Sequence, residues 1–98
     1  MKSHAKVVIV GGGIMGVSLL YHLVKEGWKD IVLIEKGELT SGSTWHAAGQ
    51  CPHFVGSFNA AKIHNYSNKL YQELEKETGQ STGWHGCGSV RLALKEED

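Results

Sequence analysis

The chain has 98 residues, 41% of them hydrophobic and 20% charged, and its ten Lys plus Arg balance ten Asp plus Glu. Such a composition excludes an intrinsically disordered chain, and without a clustered basic stripe there is no electrostatic case for nucleic acid or an anionic membrane as partner. A small molecule is the expected partner, and with only Cys51 and Cys87 present a disulfide framework is not expected either.

Lys6-Val7-Val8-Ile9-Val10 is a β-branched run that ends in glycine, the pattern of a parallel strand buried on both faces. From Ile14 to about Glu26, Val17, Leu20, Leu23 and Val24 recur at helical spacing, and Gly27 is placed to cap the helix. Asp30-Ile31-Val32-Leu33-Ile34-Glu35 repeats the buried-strand pattern and completes a βαβ unit whose crossover should be right-handed. Residues 37–58 are irregular and contain the only proline, Pro52; a connection this long in a compact domain is usually functional. From about Asn59 to Thr78, Ile63, Ser67, Leu70, Leu74 and Thr78 fall near one helical face, with Asn59 as cap, Gly79 as stop and Lys69, Glu73, Glu75, Lys76 and Glu77 directed outward. At the end, Val90, Leu92 and Leu94 alternate with Arg91, Ala93 and Lys95, which predicts a late strand paired with residues near Thr82 to His85.

The fold class is therefore α/β: a Rossmann-like βαβ unit over 1–36, a loop over 37–58, a helix over 59–79 and the start of a further sheet over 80–98. A doubly wound domain needs more parallel strands than these, so the chain reads as the amino-terminal part of a longer protein. No apolar run reaches the roughly 20 residues of a membrane span, and neither a signal peptide nor a transit peptide is expected.

Two motifs carry chemistry. The first is Gly11-Gly12-Gly13-Ile14-Met15-Gly16 between strand and helix, a G-x-G-x-x-G turn. Gly11 allows the bend, Gly13 lets the backbone approach a pyrophosphate and Gly16 lets helix and strand pack closely, while the helix N-terminus presents amides to the phosphates. Glu35, 19 residues after Gly16, ends the second strand where a carboxylate can accept hydrogen bonds from ribose hydroxyls. An acid there favours FAD or NAD over NADP, although Lys36 beside it could attract a 2′-phosphate. The second motif is the loop Gly42-Ser43-Thr44-Trp45-His46-Ala47-Ala48-Gly49.

With these residues in view, the chain resembles the FAD-dependent amine oxidoreductases of the dimethylglycine dehydrogenase and sarcosine dehydrogenase group, within the D-amino-acid oxidase family. The stretches that carry the resemblance are Val8 to Gly16, Ile31 to Lys36 and Leu39 to Gly49, with a looser likeness through Leu70 to Gly79 and Gly88 to Ala93. The first two are common to many flavoproteins, whereas the Ser-Thr-Trp-His-Ala-Ala loop is far more specific. In that group the histidine matching His46 carries the flavin through a bond from an imidazole nitrogen to the flavin 8-methyl carbon. Gly42, Ser43 and Thr44 would offer amides and hydroxyls to the pyrophosphate and nearby flavin.

The resemblance implies oxidative demethylation of an N-methylated amine or amino acid. Oxygen or an electron-transfer flavoprotein would serve as acceptor, and tetrahydrofolate would bind in a domain beyond this chain. Two cysteines without a disulfide framework or an expected leader point to free thiols in a reducing compartment, the cytoplasm, or the mitochondrial matrix if the protein is eukaryotic and already processed. No residue here is assigned as a catalytic acid or base. His46, Cys51 and His53 lack the paired spacing of a structural zinc site, so no metal is expected. His53 and Phe54 are candidates for a cavity wall, and Trp84, His85 and Cys87 for a turn that faces substrate or packs in the core. Two other readings stay open: an NAD-dependent dehydrogenase, and a non-catalytic nucleotide-binding paralogue with a regulatory role.

Overall fold

A computed structural model describes residues 3–53 and 55–96, so Phe54 lies outside the described residues. They form two compact units, Met1–Ala48 and Gly49–Asp98.

In the first unit, β1 (Val7–Val10) and β2 (Ile31–Ile34) form a two-stranded parallel sheet joined through α1 (Ile14–Lys25). The register pairs Val7 with Ile31, Ile9 with Leu33 and Val10 with Ile34. Ile9, 6% exposed, is the buried apolar side chain among the described residues, and α1 packs on the face that it shares with Leu33. The opposite face is open: Val8, Val10 and Ile34 are 52%, 83% and 53% exposed. The expected burial of both faces is therefore not met, because one crossover helix covers one side of a parallel sheet and the described residues contain no second crossover.

α1 stops as expected at glycine. Gly27 has φ +91°, its N–H bonds to the carbonyl of Val24 (3.0 Å) and the N–H of Trp28 to that of Leu23 (2.9 Å). This double closure is a Schellman motif, which satisfies carbonyls that the helix end leaves unpaired. The chain then enters β2 through Asp30, a non-glycine residue at φ +62° whose carbonyl accepts the N–H of Lys6 (2.9 Å).

In the second unit, α2 spans Phe58–Thr78. Its cap is Ser57 rather than the expected Asn59: Ser57 is extended and its hydroxyl accepts the N–H of Ala60 at 3.4 Å, while Asn59 already lies inside the helix. A cap must have non-helical backbone, and Ser57 meets that condition two residues earlier. Gly79 ends the helix at φ +72°, bonding the Glu75 carbonyl at 2.9 Å.

The covered side of α2 centres on Asn68, 1% exposed, with Leu70, Tyr71 and Leu74 half-buried; Ile63, expected on that face, is 68% exposed. The late strand does not form, and residues 80–94 carry no strand. Val90, Leu92 and Leu94 are 92%, 81% and 85% exposed, so their alternation has no ladder partner to satisfy it. Residues near Thr82 instead fold back on α2, where the Thr82 hydroxyl donates to the Tyr71 carbonyl (3.3 Å).

Candidate functional site

β1, α1 and β2 converge on the glycine turn, and close packing explains its composition. A Cβ on Gly16 would lie 1.9 Å from the carbonyl oxygen of Gly11, a contact with backbone that nothing can relieve cheaply. Gly11 itself has φ +111° and passes its N–H to the Ile34 carbonyl (2.8 Å), so it turns the chain and extends the parallel ladder at once. Gly13 is extended (φ −80°, ψ −173°) and caps α1 without a side chain.

Glu35 is bound into this turn. One carboxylate oxygen accepts the N–H of Gly12 (3.0 Å) and the other that of Gly37 (2.7 Å). These two donors, Gly12 first, hold the Glu35 carboxyl below its ordinary range against a desolvation that acts the other way. Each oxygen keeps a second lone pair for another donor. Lys36 beside it is exposed, as is Met15 at 84% on the first turn of α1.

The Gly42–Gly49 loop contains one 3₁₀ turn, Ser43–His46, preceded by Gly42 and closed by the Ala47 N–H on the Thr44 carbonyl (3.3 Å). The Thr44 hydroxyl accepts the N–H of Ile14, the first residue of α1, at 2.9 Å. The Thr40 N–H bonds the Gly12 carbonyl at 2.9 Å, so the loop is fastened to the glycine turn by backbone as well. Trp45 donates its indole N–H to the Ser41 carbonyl (2.9 Å), and its ring lies 3.6 Å from that of His46 at an interplanar angle of 37°. Nδ1 of His46 lies 3.0 Å from the Gly42 carbonyl oxygen. A carbonyl only accepts, so Nδ1 is the donor of this bond, and in the tautomer that matches it Nε2 carries the lone pair.

Of the residues expected at the site, Gly11, Gly13, Ile14, Gly16, Glu35 and Thr44 thus meet around the start of α1, with Gly42 and His46 bonded to each other in the loop. Ser43 and Ala47 bound the 3₁₀ turn, and Ala48 follows it at the end of the first unit. Gly49, at φ +78°, opens the second unit. Sequence reasoning missed Gly12, Leu39 and Thr40. A Cβ on Gly12 would lie 2.7 Å from Leu39 and 3.0 Å from Glu35, and the uninterrupted Gly11-Gly12-Gly13 run was the signal that the middle position is cramped too.

The residues fit a dinucleotide cofactor. The first turn of α1 holds no acidic side chain to repel phosphate, three successive glycines line the approach, and Glu35 faces the same turn as a hydrogen-bond acceptor.

In the second unit, a cavity of about 640 Å³ is bordered by Cys51, His53, Trp84, His85 and Cys87, with Asn68 at its base. Asn68 donates to the carbonyls of His64 (2.9 Å) and Pro52 (3.3 Å) and accepts from the Trp84 indole (3.0 Å). His53 donates to Asn65 (2.8 Å), and both cysteines are exposed free thiols. No group of three or more His, Cys, Asp or Glu among the described residues could hold a metal ion, and no described helix is long and apolar enough to cross a membrane.

Comparison with known proteins agrees with this geometry. The profile of the family described as FAD dependent oxidoreductase matches residues 6–98. The chain is 60% identical over 92 residues to mitochondrial dimethylglycine dehydrogenase of Homo sapiens, covering 94% of this chain and 11% of that protein. It is 50% identical over 97 residues to the mitochondrial pyruvate dehydrogenase phosphatase regulatory subunit of Mus musculus, covering 99% of this chain and 11% of that protein. It is also 38% identical over 93 residues to the formaldehyde-forming 4-methylaminobutanoate oxidase of Paenarthrobacter nicotinovorans, covering 95% of this chain and 11% of that protein. The chain thus spans about a ninth of the length of these relatives. With its close-packed glycine turn and an acid at the end of β2, and with a profile match over residues 6–98, the chain belongs to the FAD dependent oxidoreductase family.

Proposed function

We propose that this chain is the amino-terminal, dinucleotide-binding part of a longer FAD-dependent oxidoreductase that oxidises an N-methylated amine or amino acid, with the flavin tethered through His46. The observation that carries this reading is the 3.0 Å approach of His46 Nδ1 to the Gly42 carbonyl oxygen. The Gly42 carbonyl takes the Nδ1 proton, which leaves the Nε2 lone pair as the nucleophile that a bond to the flavin 8-methyl carbon requires. Ring contact with Trp45 limits how far the imidazole can swing.

In this reading Gly11, Gly13, Ile14, Met15 and Gly16 provide the backbone approach to the pyrophosphate, and the start of α1 supplies its partial positive charge. Glu35 accepts from the adenosine ribose with its remaining lone pairs and disfavours a 2′-phosphate. Lys36 flanks that contact. Gly42, Ser43, Thr44, Trp45, Ala47, Ala48 and Gly49 shape the loop that presents His46. The chemistry that FAD supplies when bound is two-electron oxidation of the N-methyl group, giving an iminium that hydrolyses to formaldehyde or is captured by tetrahydrofolate. The acceptor is oxygen or an electron-transfer flavoprotein, and the compartment is the mitochondrial matrix or, in a bacterium, the cytoplasm. Family membership removes the grounds for the NAD-dependent reading.

One observation favours a second reading, a non-catalytic regulatory role: the relative at 50% identity is named as a regulatory subunit. Anaerobic titration of the full-length protein with dimethylglycine, sarcosine and 4-methylaminobutanoate separates the two. Loss of the oxidised flavin absorbance with formaldehyde release on return to air supports the amine-oxidising function. Bound flavin that none of these amines bleaches supports the regulatory one.

A further inference from the structure

We propose that Thr44 is the positioning residue that sets His46 against the phosphate-binding turn; the inference rests on the reading of His46 as the flavin tether. Within the Ser43–His46 turn, Trp45 and His46 bond back into their own loop, at Ser41 and Gly42. Thr44 reaches out of it, to the first amide of α1. Gly13 leaves the room this needs, since a Cβ there would lie 2.9 Å from the Thr44 oxygen.

Thr44 and His46 are separated by one residue of a 3₁₀ turn, about 4 Å along its axis, and the Ala47 N–H closes that turn on the Thr44 carbonyl. A shift at Thr44 is therefore passed to the imidazole with little slack. The upstream fastening, Thr40 to Gly12, fixes where the loop departs but leaves five residues before His46. Thr44 is the nearer of the two anchors. Its hydroxyl can still donate one hydrogen bond while its oxygen accepts from Ile14.

In the step concerned, the Nε2 lone pair forms a bond to the flavin 8-methyl carbon as a methyl C–H bond breaks. The methyl proton and the Nδ1 proton of the resulting imidazolium would both leave, and the electron pair would pass through the ring system to dioxygen, which with two protons becomes hydrogen peroxide. Misplacing a reacting atom by about 1 Å can slow such a step by about 100-fold.

The test is the rate at which acid-stable flavin appears on the full-length protein at saturating FAD, together with total bound flavin, for wild type, Thr44→Val, Thr44→Ala and Thr44→Ser. The expected result is that Val and Ala variants bind flavin but tether it about 10- to 100-fold more slowly, whereas Ser tethers at close to the wild-type rate. Two hydroxyl-free variants guard against one failing to fold, and thermal unfolding identifies such a failure. Wild-type tethering in Val and Ala overturns the proposal, as does equal slowing in Ser, which restores the hydroxyl. Loss of all flavin from folded Val and Ala variants also overturns it, since Thr44 would then act in retention. Wild-type protein with bound but fully extractable flavin refutes the His46 reading itself, and that failure shows before any Thr44 variant is compared.

Discussion

The two halves of this chain organise polar groups in opposite ways. In the first unit the backbone amides of Gly12 and Ile14 at the glycine turn are held by two side chains, Glu35 and Thr44. In the second unit the organiser is a side chain, Asn68, buried to 1% exposure, and it holds backbone carbonyls of Pro52 and His64 together with the Trp84 indole. The first arrangement fixes a backbone turn through side chains that reach it from the end of β2 and from the Ser43–His46 turn. The second consumes the bonding capacity of its centre internally, which suits it to joining chain segments.

The largest expected effect follows from the backbone character of the first half. Gly16→Ala drives a Cβ against the Gly11 carbonyl oxygen, and should cost about 3–5 kcal/mol and abolish flavin retention. Gly42→Ala meets nothing within 4 Å, so its cost is limited to holding an L residue at φ −89°, ψ −131°, outside the main allowed regions, and should be about 1 kcal/mol. Thermal unfolding and bound flavin of the full-length protein check both; equal tolerance would mean that the turn is not close-packed.

Next comes the side-chain hub. Asn68→Leu leaves the Trp84 N–H and two carbonyls without their partner and should cost about 2–4 kcal/mol. Combined with Trp84→Phe, the loss should be less than the sum of the single losses, with a coupling of about 1 kcal/mol. Additive denaturant unfolding energies would remove Asn68 from the role assigned to it.

A smaller, pH-dependent effect marks Glu35. Its carboxyl is lowered in the folded state, chiefly by the Gly12 N–H and then by that of Gly37, so its contribution to stability is full above the ordinary carboxylate range. That contribution fades as pH falls through the range toward the lowered folded value. Glu35→Gln should flatten this acid branch while leaving the stability at pH 7 lower than wild type. Parallel acid branches, measured by unfolding midpoint from pH 7 to pH 3, would detach Glu35 from the turn. Smallest is Ser57→Ala, which removes a long 3.4 Å cap bond and should cost about 0.5–1 kcal/mol, seen as faster amide exchange in the first turn of α2. Protection equal to wild type there would make the cap dispensable.

The same contrast decides what was legible from residues alone. β1, α1, β2 and the glycine stops at Gly27 and Gly79 follow from local rules: β-branched runs, 3.6-residue spacing and positive φ. The Gly11–Gly16 turn and Glu35 were readable for the same reason, since their spacing is set by one helix and two strands. Asn68 was not, because a polar residue on a helix gives no apolar period, and its burial depends on Pro52 and Trp84, each 16 residues away. Nor was the fate of Val90 to Leu94, whose alternation reports a preference for a half-buried ladder that needs a partner strand to act on. The tether between Thr44 and Ile14 spans 30 residues and equally escapes local reading, although both residues had been assigned to the site.

The decisive measurement is the intact mass of the denatured full-length protein, wild type beside His46→Ala. Addition of one FAD to the wild type and none to the variant is the expected result. Unmodified mass in both, or the same added FAD in both, would contradict the assignment of His46 as the flavin's point of attachment.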